Sequence, residues 1–294
     1  VRSYHHIASR LYCCPLLMEP SRAQVVLGAL TSHFGDISLE YQGAKISSEA
    51  LKMKASGFTE VGERRSFEIL NGGIAYIPIT GTLVHKSGYL DPVSGMTGYD
   101  GIEVKLRDAM ADPSVRGILI DIDSGGGEVS GCFDLCDYIQ QIRQEKPIWA
   151  VANEQACSAA YAIGASAGYL WTSRTGIVGS IGVLMIHTDV SKALSSKGFQ
   201  VTMIHAGSHK VDGNPYEPLP DEVRADVQVE LEATRKIFID TVAAGRGLSP
   251  EVILATEAKT FRGDKALGGG LIDGVASFSE VLRDFVFSLE EESS

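Results

Sequence analysis

Two side chains in this chain have settings that suit a nucleophile and its base: Ser158 and Lys210, 52 residues apart. Ser158 lies in Gln155-Ala156-Cys157-Ser158-Ala159-Ala160-Tyr161, where small residues open an apolar helix. Lys210 lies in Gly207-Ser208-His209-Lys210-Val211-Asp212-Gly213-Asn214-Pro215-Tyr216, a polar, turn-rich run with no helical or strand period. A serine hydroxyl attacks a carbonyl only when a neighbouring base takes its proton. A lysine serves as that base only when its amine is neutral, and an ordinary one, with a pKa near ~10.4, is almost wholly charged at pH 7. A site that uses it must therefore desolvate the amine. A serine at a helix start also sits beside free N–H groups and the positive end of the dipole, which suit a developing oxyanion. Plainer readings exist for both residues. Ser158 would also serve as a helix N-cap, Lys210 as a solvated loop lysine, and Cys157, paired with His205 or His209, would make a thiol enzyme.

Two further motifs precede and separate this pair, Asp123-Ser124-Gly125-Gly126-Gly127-Glu128 and Val178-Gly179-Ser180-Ile181-Gly182-Val183. The glycine triplet lacks the spacing of a nucleotide-binding loop. In the order and spacing of all four motifs, over about residues 68–276, the chain resembles the signal-peptide-peptidase-A (S49) family of serine proteases. Within that family the run Ser208 to Tyr216 is most similar to the phage head-maturation branch. The resemblance implies Ser158 as nucleophile, Lys210 as general base and Ser180 as the hydroxyl that orients the amine. It also implies an oxyanion hole from the N–H of Gly126 or Gly127 and of Ala159, with Gly125 where the family has proline. The implied fold is the α/β ββα spiral of the Clp protease/crotonase-like class, here with an N-terminal arm. No metal or organic cofactor is implied. The implied partners are scaffold, portal and coat proteins of a phage head and the protein itself, through autoprocessing and homo-oligomerisation, in the host cytoplasm and procapsid interior. Two rivals keep the fold: a non-catalytic scaffold or minor capsid component, and an acyl-CoA enzyme of crotonase type, for which the basic residues expected around a CoA phosphate are missing.

Composition narrows the classes. A net charge of −11 argues against a sequence-independent grip on nucleic acid phosphates. Five cysteines cannot all pair, and Cys132 and Cys136 stand at helical spacing without a second metal-like pair, so packed thiols are expected. The apolar run Leu11 to Met18 is cut by Pro15 and falls short of the ~20 residues of a membrane span, so no membrane anchor is expected.

The elements that must position these motifs follow from periodicity. Residues 1–66 read as an arm and linker, with a helix from Ser21 through Phe34; residues 67–288 form the protease domain, and 289–294 an acidic tail. Strands are expected at Ile74–Ile79, Gly117–Ile122, Ile148–Ala152, Tyr169–Thr172, Ile177–Ile186 and Gln200–His205. Helices are expected after Asp100 and Asp189 as caps, around Val129 to Ile139, from Pro220 to about Ala244 and from Val281 to Phe287. Strands alternating with helices of this length imply parallel pairing. The long helix carries one apolar stripe, Val223, Val227, Leu231, Phe238 and Val242, which suits either a core or a subunit interface.

Overall fold

The computed structural model describes residues 15–18, 66–86 and 95–291, together with the backbone of 40–41 and 44–45. In chain order the strands are β1 (Leu16–Met18), β2 (Glu40–Tyr41), β3 (Ala44–Lys45), β4 (Glu68–Leu70), β5 (Ile74–Thr80), β6 (Thr82–Val84), β7 (Met96–Gly98), β8 (Gly117–Ser124), β9 (Gly126–Glu128), β10 (Ile148–Cys157), β11 (Tyr169–Thr172), β12 (Ile177–Gly179), β13 (Thr260–Arg262) and β14 (Gly274–Val275). The helices are α1 (Tyr99–Ala111), α2 (Cys132–Ile142), α3 (Ala159–Ala165), α4 (Ser191–Ser196), α5 (Asp221–Arg246), α6 (Pro250–Leu254), α7 (Gly263–Gly268) and α8 (Phe278–Glu291).

The main sheet runs β13-β12-β10-β8-β5-β4, with β11 also paired to β10 and β14 to β11. Its centre, β5, β8, β10, β11 and β12, is parallel. Successive side chains on a strand point to opposite faces, and here both faces are covered. Ile118, Ile120 and Ile122 of β8 and Ile148, Ala150 and Ala152 of β10 pack in the larger core with α1, α2, α3 and α5. Leu119, Trp149 and Val151 pack on the opposite side with Val281, Phe285 and Leu289 of α8. A strand buried on both faces reads as an unbroken apolar run rather than an alternation, which is why Gly117–Ile122 was legible. A second small sheet, β1-β9-β6-β7, carries the glycine motif. This layered α/β arrangement, a mostly parallel sheet covered on both faces, agrees with the α/β class that the resemblance implies.

Several expectations require correction. Gly98, not Asp100, is the N-cap of α1, and the Asp100 carboxylate accepts from the N–H of Gly101 inside the first turn. Val190 caps α4, with Asp189 accepting from the Ser191 N–H. The strand expected over Ile177–Ile186 stops at Gly179, because Ser180 turns to φ 56° and breaks the extended path. Gln200–His205 is not a strand; Val201 and Ile204 are exposed, and among the described residues no strand pairs with the segment. The helix expected at Ser21–Phe34 lies outside the described residues, whereas Leu16–Met18, read as part of the arm, forms a buried strand within the domain.

The long helix spans Asp221–Arg246, close to expectation. Only the C-terminal half of its stripe, Phe238 and Val242, is buried; Val223, Val227 and Leu231 are half-buried, and Val229 and Ile237 are exposed. Its end is fixed by Arg246, which forks onto both carboxylate oxygens of Asp273 at 2.7 and 2.9 Å, a bidentate geometry. Helix α8 is held by Phe285, fully buried and stacked on Trp149 at 4.6 Å between ring centroids. Truncation there leaves a cavity that the rigid sheet cannot fill. Phe285→Ala is expected to lower unfolding free energy by about 3–5 kcal/mol, measured as a shifted urea midpoint.

Candidate active site

Ser158 stands at the junction of β10 and α3, in a backbone conformation that few side-chain-bearing residues adopt, φ 56° and ψ −123°. Such a conformation costs of order 1–3 kcal/mol and persists only where neighbours hold it. Here they do: the Ser158 N–H donates to the Gly179 carbonyl at 2.8 Å, and the Ser158 carbonyl accepts from the Ala162 N–H at 3.0 Å. Ser158 occupies the N-cap position of α3, yet its hydroxyl makes no capping hydrogen bond. The Oγ is buried and has no hydrogen-bond partner among the described residues. A buried hydroxyl left unpaired is costly, and this one does not offset that cost by capping the helix.

The small residues after Ser158 are explained by packing. Every residue of α3 is buried, and Gly245 of α5 approaches so closely that a Cβ there would lie 2.3 Å from the Ala165 carbonyl oxygen. Arg143 then binds the far end of α3: its guanidinium donates to the carbonyls of Ser166, Ala167 and Gly245 at 3.2, 2.7 and 3.2 Å. Burial holds the Arg143 pKa below its usual value, with the charge of Arg246 adding to the shift.

Gly126 lies beside the serine, and Gly127 follows it on β9 against the Leu83 backbone. A Cβ on Gly126 would meet the Leu17 carbonyl oxygen at 2.1 Å and the Ser158 Cβ at 2.9 Å, and its φ of +98° already favours glycine. A Cβ on Gly127 would lie 1.8 Å from the Leu83 carbonyl oxygen. The Gly126 N–H, one of the two expected oxyanion donors, is engaged by the Ser124 hydroxyl at 3.1 Å, which in turn donates to the Gly81 carbonyl at 2.6 Å. Ser124 is fully buried and was missed by sequence reasoning, although a serine opening a glycine turn is a known local acceptor. Ala159, the other expected donor, is the first residue of α3, where N–H groups lack intrahelical acceptors.

Ser180 is brought to the same place. Cys157 and Gly179 are register partners in the parallel pair β10–β12, so the residues that follow them, Ser158 and Ser180, leave neighbouring strand ends together. Both have φ 56°, and Ser180 is anchored by its N–H to the Lys259 carbonyl at 3.0 Å.

Lys210 is not brought to them. It is exposed, in a turn where its backbone N–H donates to the Gly207 carbonyl at 3.2 Å. The histidines proposed for a thiol enzyme sit on this same exposed stretch. His205 Nδ1 lies 2.9 Å from the Gly207 carbonyl oxygen, and His209 pairs with Asp212 at 2.8 Å, whose hydrogen bond raises the imidazole pKa. Cys157 is fully buried with its sulfur 3.8 Å from the Ile177 carbonyl oxygen. Cys132 and Cys136 are buried free thiols on α2; the Cys136 hydrogen bond, then burial, holds the Cys132 thiol well above the ordinary range. Packed thiols of this kind stay protonated.

The arrangement thus offers a strained, buried and unpartnered hydroxyl, a glycine strand pressed against it, and a lysine on a separate exposed turn. Comparison with known proteins matches the sequence pattern of Peptidase family S49 over residues 140–286. The chain is 42% identical to the capsid assembly protease C of Escherichia phage lambda, across 97% of this chain and 66% of that protein. It is also 42% identical to the head-tail preconnector protein GP5 of Enterobacteria phage P21, across 96% of this chain and 57% of that protein. It therefore spans less than two thirds of the length of either relative. Among solved structures, a mutant of the 1510-N membrane-bound stomatin-specific protease aligns with a TM-score of 0.44 at 15% identity, over 71% of this chain and 83% of that one.

The contacts at Gly127 make its replacement diagnostic. Gly127→Ala is expected to cost about 3 kcal/mol, the upper end for overpacking a tight site. Gly268→Ala, where a Cβ meets nothing within 4 Å, is expected to change stability by less than about 0.5 kcal/mol. Paired urea titrations of the two variants check the contrast.

Proposed function

Because the chain belongs to peptidase family S49, we propose that it is a serine endopeptidase with Ser158 as nucleophile and Lys210 as base, acting on the proteins of a phage head. The observation that carries the reading is the Ser158 hydroxyl, buried without a hydrogen-bond partner among the described residues on a backbone strained to φ 56°. In this reading Ser158 Oγ attacks the scissile carbonyl while the neutral Lys210 amine accepts its proton. That proton is then delivered to the leaving amine, and water hydrolyses the acyl-enzyme with the same lysine as base. The N–H groups of Gly126 or Gly127 and of Ala159 stabilise the oxyanion, with Gly126 first released from Ser124. One such donor is typically worth about 3 kcal/mol in the transition state. Ser180, side by side with Ser158, orients the amine.

The substrate class follows from the relatives, whose names speak of capsid assembly and of a head-tail preconnector. Scaffold, portal and coat proteins of a head are the proposed substrates and partners, and the procapsid interior the proposed place of action. The separation of Lys210 from Ser158 supports an active site completed between subunits: the lysine turn of one protomer reaches the serine of the next. The half-buried N-terminal stretch of the α5 stripe and the exposed Phe199, Val201 and Ile204 beside the lysine turn supply apolar surface for that contact. A concentrated procapsid then becomes the condition for activity.

Two measurements test this. Ser158→Ala and Lys210→Ala should each lower cleavage of a head-protein substrate by at least about a thousandfold, with circular dichroism unchanged. A mixture of the two inactive variants should recover part of the parent rate, since some interfaces then pair an intact serine with an intact lysine. Full activity of either variant alone would overturn the dyad. Failure to complement despite verified co-assembly would place each site within one chain or, if the parent is also inactive, favour a non-catalytic capsid component.

A further inference from the structure

The Ser158 side chain is fully buried, so a peptide carbonyl cannot reach it in this conformation. Something must move away, and the geometry identifies what. Strand β9, which carries Gly126 and Gly127, has β6 along one edge and β1 along the other. Strand β1 is only Leu16–Met18, paired antiparallel with Leu16 opposite Glu128, Leu17 opposite Gly127 and Met18 opposite Gly126. On its far side Leu16 exchanges both backbone hydrogen bonds with Leu184, at 2.8 and 3.1 Å. Three residues from near the start of the chain are thus threaded between two segments of the domain.

The threaded strand lies at the nucleophile. The Leu17 carbonyl oxygen and the Ser158 Cβ are 2.1 and 2.9 Å from the point where a Gly126 Cβ would stand, so both crowd one position. An extended peptide, with its own carbonyl beside Ser158 and backbone partners on both edges, is the arrangement a protease needs for a substrate strand. The side chains also define what the groove accepts: Leu16, Leu17 and Met18 are all buried, Leu17 completely.

We propose that Leu16–Met18 is an internal plug, occupying in the chain's own fold the groove between Gly126–Glu128 and Leu184 in which an extended substrate segment with consecutive large aliphatic side chains is bound. The proposal deepens the protease reading and rests on it for the identity of the groove's second occupant. A tethered strand competes at a high effective concentration, so the site opens only when the plug leaves. Its release exposes the backbone edge of β9, frees the space over Ser158 and leaves Leu184 with unpaired backbone groups that an incoming strand satisfies. Strands of three residues held by few contacts open locally at lower cost than the core.

The test separates access from chemistry. In a Cys157→Ala background, Ser158→Cys turns the buried position into a thiol whose alkylation by iodoacetamide, followed by mass spectrometry, reports steric access whether or not the protein is a protease. Adding Leu17→Glu, which cannot stay buried unpaired, should speed that alkylation about tenfold or more if the plug is a locally opening unit. In a second protein with Ser158 intact and Cys13 and Cys14 replaced by serine, Leu16→Cys and Leu184→Cys lock the strand by a disulfide. A serine-directed fluorophosphonate should then label the reduced form and not the oxidised one. Equal alkylation with and without Leu17→Glu, in protein with the parent's circular dichroism, would overturn the plug. If the glutamate variant unfolds, the lock decides alone, and equal labelling of its oxidised and reduced forms overturns the proposal. Accelerated alkylation with no fluorophosphonate labelling in any form would uphold the plug and sink the serine-protease reading.

Discussion

Around Ser158 the structure depends on two backbones that approach where no side chain fits between them. The positions that Cβ atoms would occupy on Gly126 and Gly127 are filled by carbonyl oxygens of Leu17 and Leu83 and by the serine itself. Glycine is thus required by space at both residues, and at Gly126 by backbone conformation as well. From that contact the rest follows in order. The glycine strand can lie flat against the end of β10, the serine can be forced to φ 56°, and α3 can begin immediately afterwards with a run of small residues that lets α5 close over it. The far end of β9 is tied down separately, by the Tyr99 hydroxyl on the Glu128 carbonyl and by the Glu128 carboxylate on the His85 N–H. This short strand is thereby held by side chains as well as by its ladder.

Much of this was legible in the sequence, and the reason differs from element to element. The central strands were readable because burial on both faces makes them continuous apolar runs, as in Ile118-Leu119-Ile120. Helix α5 was readable because twenty-six residues give a period of 3.6 time to declare itself. Ser158, Gly126, Gly127 and Ser180 were readable as motifs; the fold sets Gly126 against Ser158 and starts Ser158 and Ser180 from neighbouring strand ends. Three features were not. Leu16–Met18 is too short to carry any period, and its role depends on a partner more than a hundred residues away in sequence. The segment after Gln200 is rich in residues that favour strands but pairs with no strand among the described residues, and residue preference cannot report the missing neighbour. The Ser124 bond to Gly126 is a local side-chain choice that competes with the regular ladder and leaves no periodic trace.

The serine and the lysine illustrate two ways of building chemistry into a fold. Ser158 is placed by the interior, with every neighbour within the core, and its position is as fixed as that of any buried residue. Lys210 is placed by a turn, where hydrogen bonds from Lys210 to Gly207 and from Asn214 to Val211 shape the loop but no hydrogen bond or ion pair holds its amine among the described residues. In the proposed dyad the rigid half is thus internal, and the adaptable half lies on the surface.

Arg143 adds a mechanical consequence. One guanidinium holds carbonyls from just beyond the end of the serine's helix and from the last turn of α5, the long helix that follows the lysine turn. Neither helix can slide along its axis without stripping acceptors from a half-buried cation, so sliding of one against the other is opposed. A force applied to the outer end of α5 is therefore passed to the far end of α3, the helix that Ser158 opens.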